Sequence, residues 1–161
     1  MKEIYLDYDL AYNTHLDSII AARFVARMPT VIWRYGDVKI FKRRSSSGNT
    51  HYKLVFDKDI PVFDHFVIRS ALCDDRDRVY IDLKRYFFNG EQEINRLFDG
   101  KVSLNLSTLN TTTGESGGWV PVSLENMAEA VIHYLKHHIE TSQEESMKEK
   151  YRQMLKDIVG V

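Results

Sequence analysis

Apolar and polar residues alternate one for one at the start of this chain, where Ile4, Leu6 and Tyr8 are interleaved with Tyr5, Asp7 and Asp9. Successive side chains of a strand point to opposite faces, so this run predicts a strand over 3–9 with one apolar and one acidic face. From 14 to 28 the period lengthens. Leu16, Ile19, Ile20 and Phe24, with Ala22 and Ala26, recur at helical spacing, Thr14 stands where a cap belongs, and Pro29 follows the end. Residues 30–43 are rich in strand formers, with Gly36-Asp37 as a turn or bulge inside them. A Ser/Gly loop over 44–50 leads into a strand over 51–57 that carries Tyr52, Leu54 and Phe56 on one face. Pro61 opens a helical pattern over 61–72, and 77–84 alternates again as a strand.

The predicted order is strand, helix, strand, strand, helix, strand. That is the split βαβ plan of an α+β, ferredoxin-like or RRM-like βαββαβ core, with both helices on one side of an antiparallel sheet and the other side open. Parity supports the plan independently. The inward set is Ile4, Leu6, Val38, Ile40, Tyr52, Leu54, Phe56, Val79, Ile81 and Leu83, almost wholly apolar. The outward set is Tyr5, Asp7, Asp9, Lys39, Phe41, Arg43, His51, Lys53, Arg78, Tyr80 and Asp82, a mixture of acids, bases and rings.

Beyond this core, 91–98 reads as a short helix, 101–109 as a strand, and 111–118 as a polar loop containing glycine. Helices follow over 123–139 and 142–158, the second opened by the capping-box pattern Ser142-Gln143-Glu144-Glu145, with Met147, Tyr151, Met154, Leu155 and Ile158 facing inward. The organisation expected is a core over 1–90 and a C-terminal extension over 91–161 whose two helices pack on it, one compact domain in all.

The chain has 161 residues, of which 43% are hydrophobic and 28% charged, the balance of a globular domain and not of a disordered segment. A net charge of −1 gives no global attraction to nucleic acid, although a local basic patch remains compatible with it. The single cysteine, Cys73, excludes an intrachain disulfide and fits a reducing compartment. No apolar run approaches the roughly 20 residues that span a bilayer, and the N-terminus has a strand pattern in place of a signal peptide. These features predict a soluble cytoplasmic protein with no membrane partner.

Asp7 and Asp9 on one strand face repel each other unless a cation neutralises them. Asp82, on the strand over 77–84, would lie on the same face. Three carboxylates can hold Mg²⁺ or Mn²⁺, and two such ions can drive phosphoryl transfer. His51, Arg43, Arg44, Lys53 and Ser47 surround the hairpin loop and would bind a triphosphate or a nucleic-acid backbone, with the amides of Ser45 to Thr50 adding donors. Tyr5, Phe41 and Tyr80 would stack bases. Asp74, Asp75 and Asp77 read as the chemistry of a helix-to-strand turn. His133, His137 and His138 lack an HExxH context, and Tyr134 and Tyr151 lack the paired histidines of a rolling-circle nuclease. Neither a P-loop nor a Rossmann glycine pattern is present.

Asp-hydrophobic-Asp on a first strand, a small-polar loop ending in His51, and hydrophobic-Asp82 further on resemble the archaeo-eukaryotic primase superfamily, most closely its compact primase–polymerase domains from archaeal plasmids and viruses. Cys73-Asp74-Asp75-Arg76-Asp77-Arg78-Val79-Tyr80-Ile81-Asp82 is similar to the approach to that family's third motif. The likeness covers about residues 3–90. Two departures stand out: Asn49 occupies the position where the family often has serine, and no zinc-binding cysteine cluster is present. The resemblance implies that Asp7, Asp9 and Asp82 bind metal and that His51 contacts the phosphates of a nucleoside triphosphate. The implied function is metal-dependent nucleotidyl transfer on DNA or RNA in replication or repair of a mobile element, with a replication-protein partner. The alternatives are a small metal-dependent nuclease and a non-catalytic RRM-like nucleic-acid-binding module.

Overall fold

The computed structural model describes residues 1–11, 17–89, 94–95 and 117–159. Among the described residues, four strands form one antiparallel sheet: β1 (Glu3–Ala11), β2 (Val38–Arg44), β3 (Asn49–Phe56) and β4 (Val120–Val122), in the order β1-β3-β2-β4. Five helices accompany them in the described residues: α1 (Asp17–Tyr35), α2 (Val62–Ala71), α3 (Arg76–Asn89), α4 (Leu124–Thr141) and α5 (Glu145–Val159). The fold is α+β, as the patterning predicts, but the element order departs from βαββαβ after α2.

The strand alternation holds in β1, β2 and β3. Ile4, Leu6, Tyr8, Ile40, Tyr52, Leu54 and Phe56 are buried, and they meet Ile20, Phe24, Met28 and Val31 of α1, Ile68 of α2, and Met127, Val131 and Leu135 of α4 in one apolar cluster. The helices of the C-terminal extension are thus tied into the same core as the sheet. Tyr151, Leu155 and Ile158 of α5 are half-buried against it, whereas Met154 faces solvent. His138 lies between Tyr134 (ring centroids 4.2 Å) and Tyr151 (5.2 Å, stacked), a packing role that joins α4 to α5.

Three predicted elements need correction. Helix α1 does not stop before Pro29 but runs through it to Tyr35, so 30–35 is helical and only Val38–Arg44 is strand. Its apolar stripe continues past the proline in Val31, Ile32 and Tyr35, and their burial outweighs the lost backbone bond. Gly36, at φ +89°, then closes the helix by donating its N–H to the Ile32 carbonyl at 2.8 Å. Second, α5 begins at Glu145, and Ser142 is the C-cap of α4, its N–H bonded to His138 O, so the capping box does not form as predicted.

The third correction matters most: 77–84 lies within helix α3 and is not a strand. Asp75 caps this helix, its Oδ1 accepting the N–H groups of Asp77 at 2.9 Å and Arg78 at 3.2 Å. Val79, with half-buried Leu83 and Tyr86, packs on Val62 and Phe66 of α2. That spacing of four and three residues is the helical signal which the short alternating run Val79-Tyr80-Ile81-Asp82 hides. Ile81, expected inside, is exposed, and so is Tyr80. The cap of Thr14, the strand over 101–109 and all but Gly117 and Gly118 of the loop over 111–118 lie outside the described residues. So does most of 91–98, whose described Ile94 and Asn95 are not helical.

The edge of β1 is closed by side chains. Asn95 Oδ1 accepts the Tyr5 N–H at 2.6 Å and its Nδ2 donates to the Tyr5 carbonyl at 2.8 Å, imitating a neighbouring strand. Asp74 Oδ1 takes the Asp7 N–H at 2.7 Å, and Asp75 N–H donates to the Asp7 carbonyl at 3.2 Å. Such pairing removes the ladder groups that make an open edge prone to association.

Candidate functional site

Register builds the outer face of the sheet. Tyr5 pairs with Lys53, and Lys53 with Phe41, which is opposite Pro121. Two residues along, Asp7 pairs with His51, and His51 with Arg43. Lys42 is opposite Val120, so continuing that register by one residue brings Trp119 beside Arg43. The face therefore carries one row of ring, cation, ring and a second row of acid, imidazole, guanidinium and indole. Rows on one face of a strand lie about 7 Å apart.

The second row is linked by polar contacts. Arg43 Nε donates to His51 Nδ1 at 3.3 Å, and His51 Nε2 lies 3.4 Å from Asp7 Oδ1. Acceptance at Nδ1 leaves Nε2 as the nitrogen that presents a proton to Asp7. His51 and Arg43 are both only 4% exposed, although they belong to the outer face. Asp9, at the end of the same face, accepts from Asn49 Nδ2 at 2.8 Å.

Rings and cations share the remaining space. The Arg43 guanidinium is 4.4 Å from the Trp119 ring centre, and Lys53 Nζ is 4.8 Å from Trp119 and 4.9 Å from Phe41. Tyr5 meets Trp119 with ring centroids 6.0 Å apart. Trp119 is the residue that the sequence reading missed. Its signal was the Trp-Val-Pro-Val alternation just before the Ser123 helix cap, which places Trp119 and Pro121 on one face.

Asp82 is not part of this face. It is buried on α3, where Oδ2 accepts from Arg69 Nη1 at 2.8 Å and from the Asn95 N–H at 2.9 Å, with Arg85 3.8 Å from Oδ1. Arg69, wholly buried, also holds Asp74 Oδ2 at 2.7 Å, and Arg78 takes the same carboxylate at 2.7 Å. Burial lowers the Arg78 pKa from its usual value, and Asp74, Asp7 and Asp82 partly restore it. Asp74 is therefore a buried ion-pair hub, in addition to its place in the turn. Tyr80 is exposed on α3 beneath Lys84 (4.8 Å), away from the sheet.

Arg44 has the opposite parity to Arg43, so its side chain leaves the outer face. Several donors of the hairpin loop are spent within it. Ser45 N–H bonds Asn49 O, Gly48 N–H bonds Ser45 O, Asn49 N–H bonds Ser45 Oγ, and Ser47 Oγ meets Ser45 Oγ. Gly48 supplies the φ of +90° that this turn requires. The amides of Ser45, Gly48 and Asn49 are therefore committed within the turn.

The three-carboxylate centre for Mg²⁺ or Mn²⁺ does not assemble. Repulsion between Asp7 and Asp9 suggested a missing cation, yet Asp7 faces His51 and the field of Arg78, and Asp82 is neutralised by Arg69. Among the described residues, no group of three or more His, Cys, Asp or Glu is arranged to hold a metal ion. None of the described helices is long and apolar enough to cross a membrane.

No protein-family model, curated protein or solved structure matches this chain.

Proposed function

We propose that this protein binds nucleic acid across the outer face of its sheet. The observation that supports the reading is the interleaving of Tyr5, Phe41 and Trp119 with Lys53 and Arg43 on that face. Rings offer stacking surfaces to bases, and the cations between them suit the phosphates that link those bases. Asp7, which would repel a phosphate, is turned toward His51.

The test is fluorescence anisotropy with a labelled oligonucleotide across a salt series, with and without a chelator. Binding that weakens with salt and ignores the chelator is expected, with Lys53→Ala reducing the log–log salt slope by about one. Absence of binding at low salt would overturn the proposal.

A second reading is nucleotidyl transfer from nucleoside triphosphates, which Asp7, Asp9 and His51 on one face favour. Its third metal ligand would have to come from a residue other than Asp82. Primer extension with Mn²⁺, abolished by both Asp7→Asn and Asp9→Asn, would establish it. Strand degradation lost in the same variants would indicate the nuclease instead.

A further inference from the structure

Trp119 is held in a way that a pure packing residue does not need. Two cations from two different strands, Arg43 of β2 and Lys53 of β3, lie 4.4 and 4.8 Å from its ring centre. The residue itself is only half-buried, at the lip of the face just before the short edge strand β4. Preceding it, Gly117 N–H is pinned to the Arg44 carbonyl at 2.8 Å, which fixes where the ring enters the face. Tyr5 borders the same space, its ring tilted 49° to the indole.

Resting on the nucleic-acid reading above, we propose that the ligand is an unpaired strand and that Trp119 is the stacking platform for one of its bases, engaged by an exchange of partners. In the free protein Arg43 and Lys53 sit against the indole. When a strand arrives, its phosphates draw Lys53, because a charge-assisted bond to phosphate is stronger than a contact with a neutral ring, whereas Arg43, 4% exposed and bonded to His51, stays against the indole. The indole then meets a base with its π surface. A duplex does not fit the exchange, since the faces of its bases are already covered by their neighbours. The device makes the site respond to base and phosphate together and distinguishes a strand from a simple polyanion.

The chain contains two tryptophans, and the other, Trp33, is 86% exposed on α1, which packs on the inner side of the sheet. Trp33→Phe therefore leaves Trp119 as the sole indole reporter. The full-length variant is titrated with an oligothymidylate, with an abasic strand of equal length, and with a duplex of equal length, with anisotropy followed in parallel. A fluorescence change with oligothymidylate that neither the abasic strand nor the duplex reproduces is the expected result. Trp119→Ala should weaken oligothymidylate binding about tenfold or more, and Trp119→Phe, which keeps a ring, by much less. Binding of oligothymidylate with no indole response, or an equal response to the abasic strand, would overturn the stacking role while leaving nucleic-acid binding in place. Failure of every strand to bind would instead remove the function on which the inference rests.

Discussion

Arg69 Nη1 lies 2.8 Å from Asp82 Oδ2, and both side chains are withdrawn from water. The same guanidinium grips Asp74 through Nε at 2.7 Å. One cation thereby ties α2 to the turn before α3 and to the middle of α3, and Asp74 passes the constraint to β1 through the Asp7 N–H. The carboxylate that would complete a metal centre is here a structural counter-charge.

Removing the cation should be costly. Arg69→Met keeps most of the volume but removes the counter-charge that two buried carboxylates share, leaving Asp74 to Arg78 and Asp82 to the Asn95 N–H and the more distant Arg85, and a loss of about 3–5 kcal/mol is expected in urea unfolding. Asp82→Asn should also lower stability clearly, because it weakens the pair at Arg69. Equal melting of Asp82→Asn and the parent would show that Asp82 is not held as described.

His65 makes the fold sensitive to acid. It is fully buried, with Arg69 Nη1 3.5 Å from Nε2, and burial followed by the Arg69 charge lowers its pKa to about 3 from the ordinary 6.5. Between those values the unfolded chain binds a proton that the folded protein refuses. Its contribution is therefore complete above about pH 6.5 and is lost as the pH falls toward 3, at about 1.4 kcal/mol per pH unit. Urea midpoints measured from pH 7 to 4 should fall less steeply in His65→Gln than in the parent. Parallel slopes would assign the acid sensitivity to other groups.

Cys73 occupies a position made for glycine. At φ +55° it ends α2 in the left-handed region, its N–H bonded to Ser70 O and the next N–H, of Asp74, to Arg69 O. A side chain there costs about 1–2 kcal/mol, offset in part by the greater freedom of glycine in the unfolded chain. Cys73→Gly should raise the melting temperature by about 2–4 °C, the equivalent of about 1 kcal/mol in a chain of this size. Cys73→Ala keeps the strained backbone and loses the exposed Arg23–Sγ contact, so it should gain nothing. Equal behaviour of the two variants would argue against backbone strain.

Much of the architecture was written in local pattern. Alternation in Glu3–Ala11 and Asn49–Phe56, and helical periodicity in Val62–Ala71 and Leu124–Thr141, survive because each segment buries its own apolar stripe against a neighbour. The same alternation determined that Tyr5, Asp7, Lys53, Phe41, Arg43 and His51 would share a face, since strand parity is a property of the chain itself. Tertiary structure decided where short patterns were ambiguous. The eight residues 77–84 fit a strand as well as a helix, and only the packing of Val79, Leu83 and Tyr86 on α2, with the Asp75 cap, settled the choice. It moved Asp82 from a sheet face to an ion pair with Arg69, since buried charges take the partners that the surrounding fold supplies. It also brought Trp119 to the site from far along the chain, through a pairing of β4 with β2 that no local periodicity encodes.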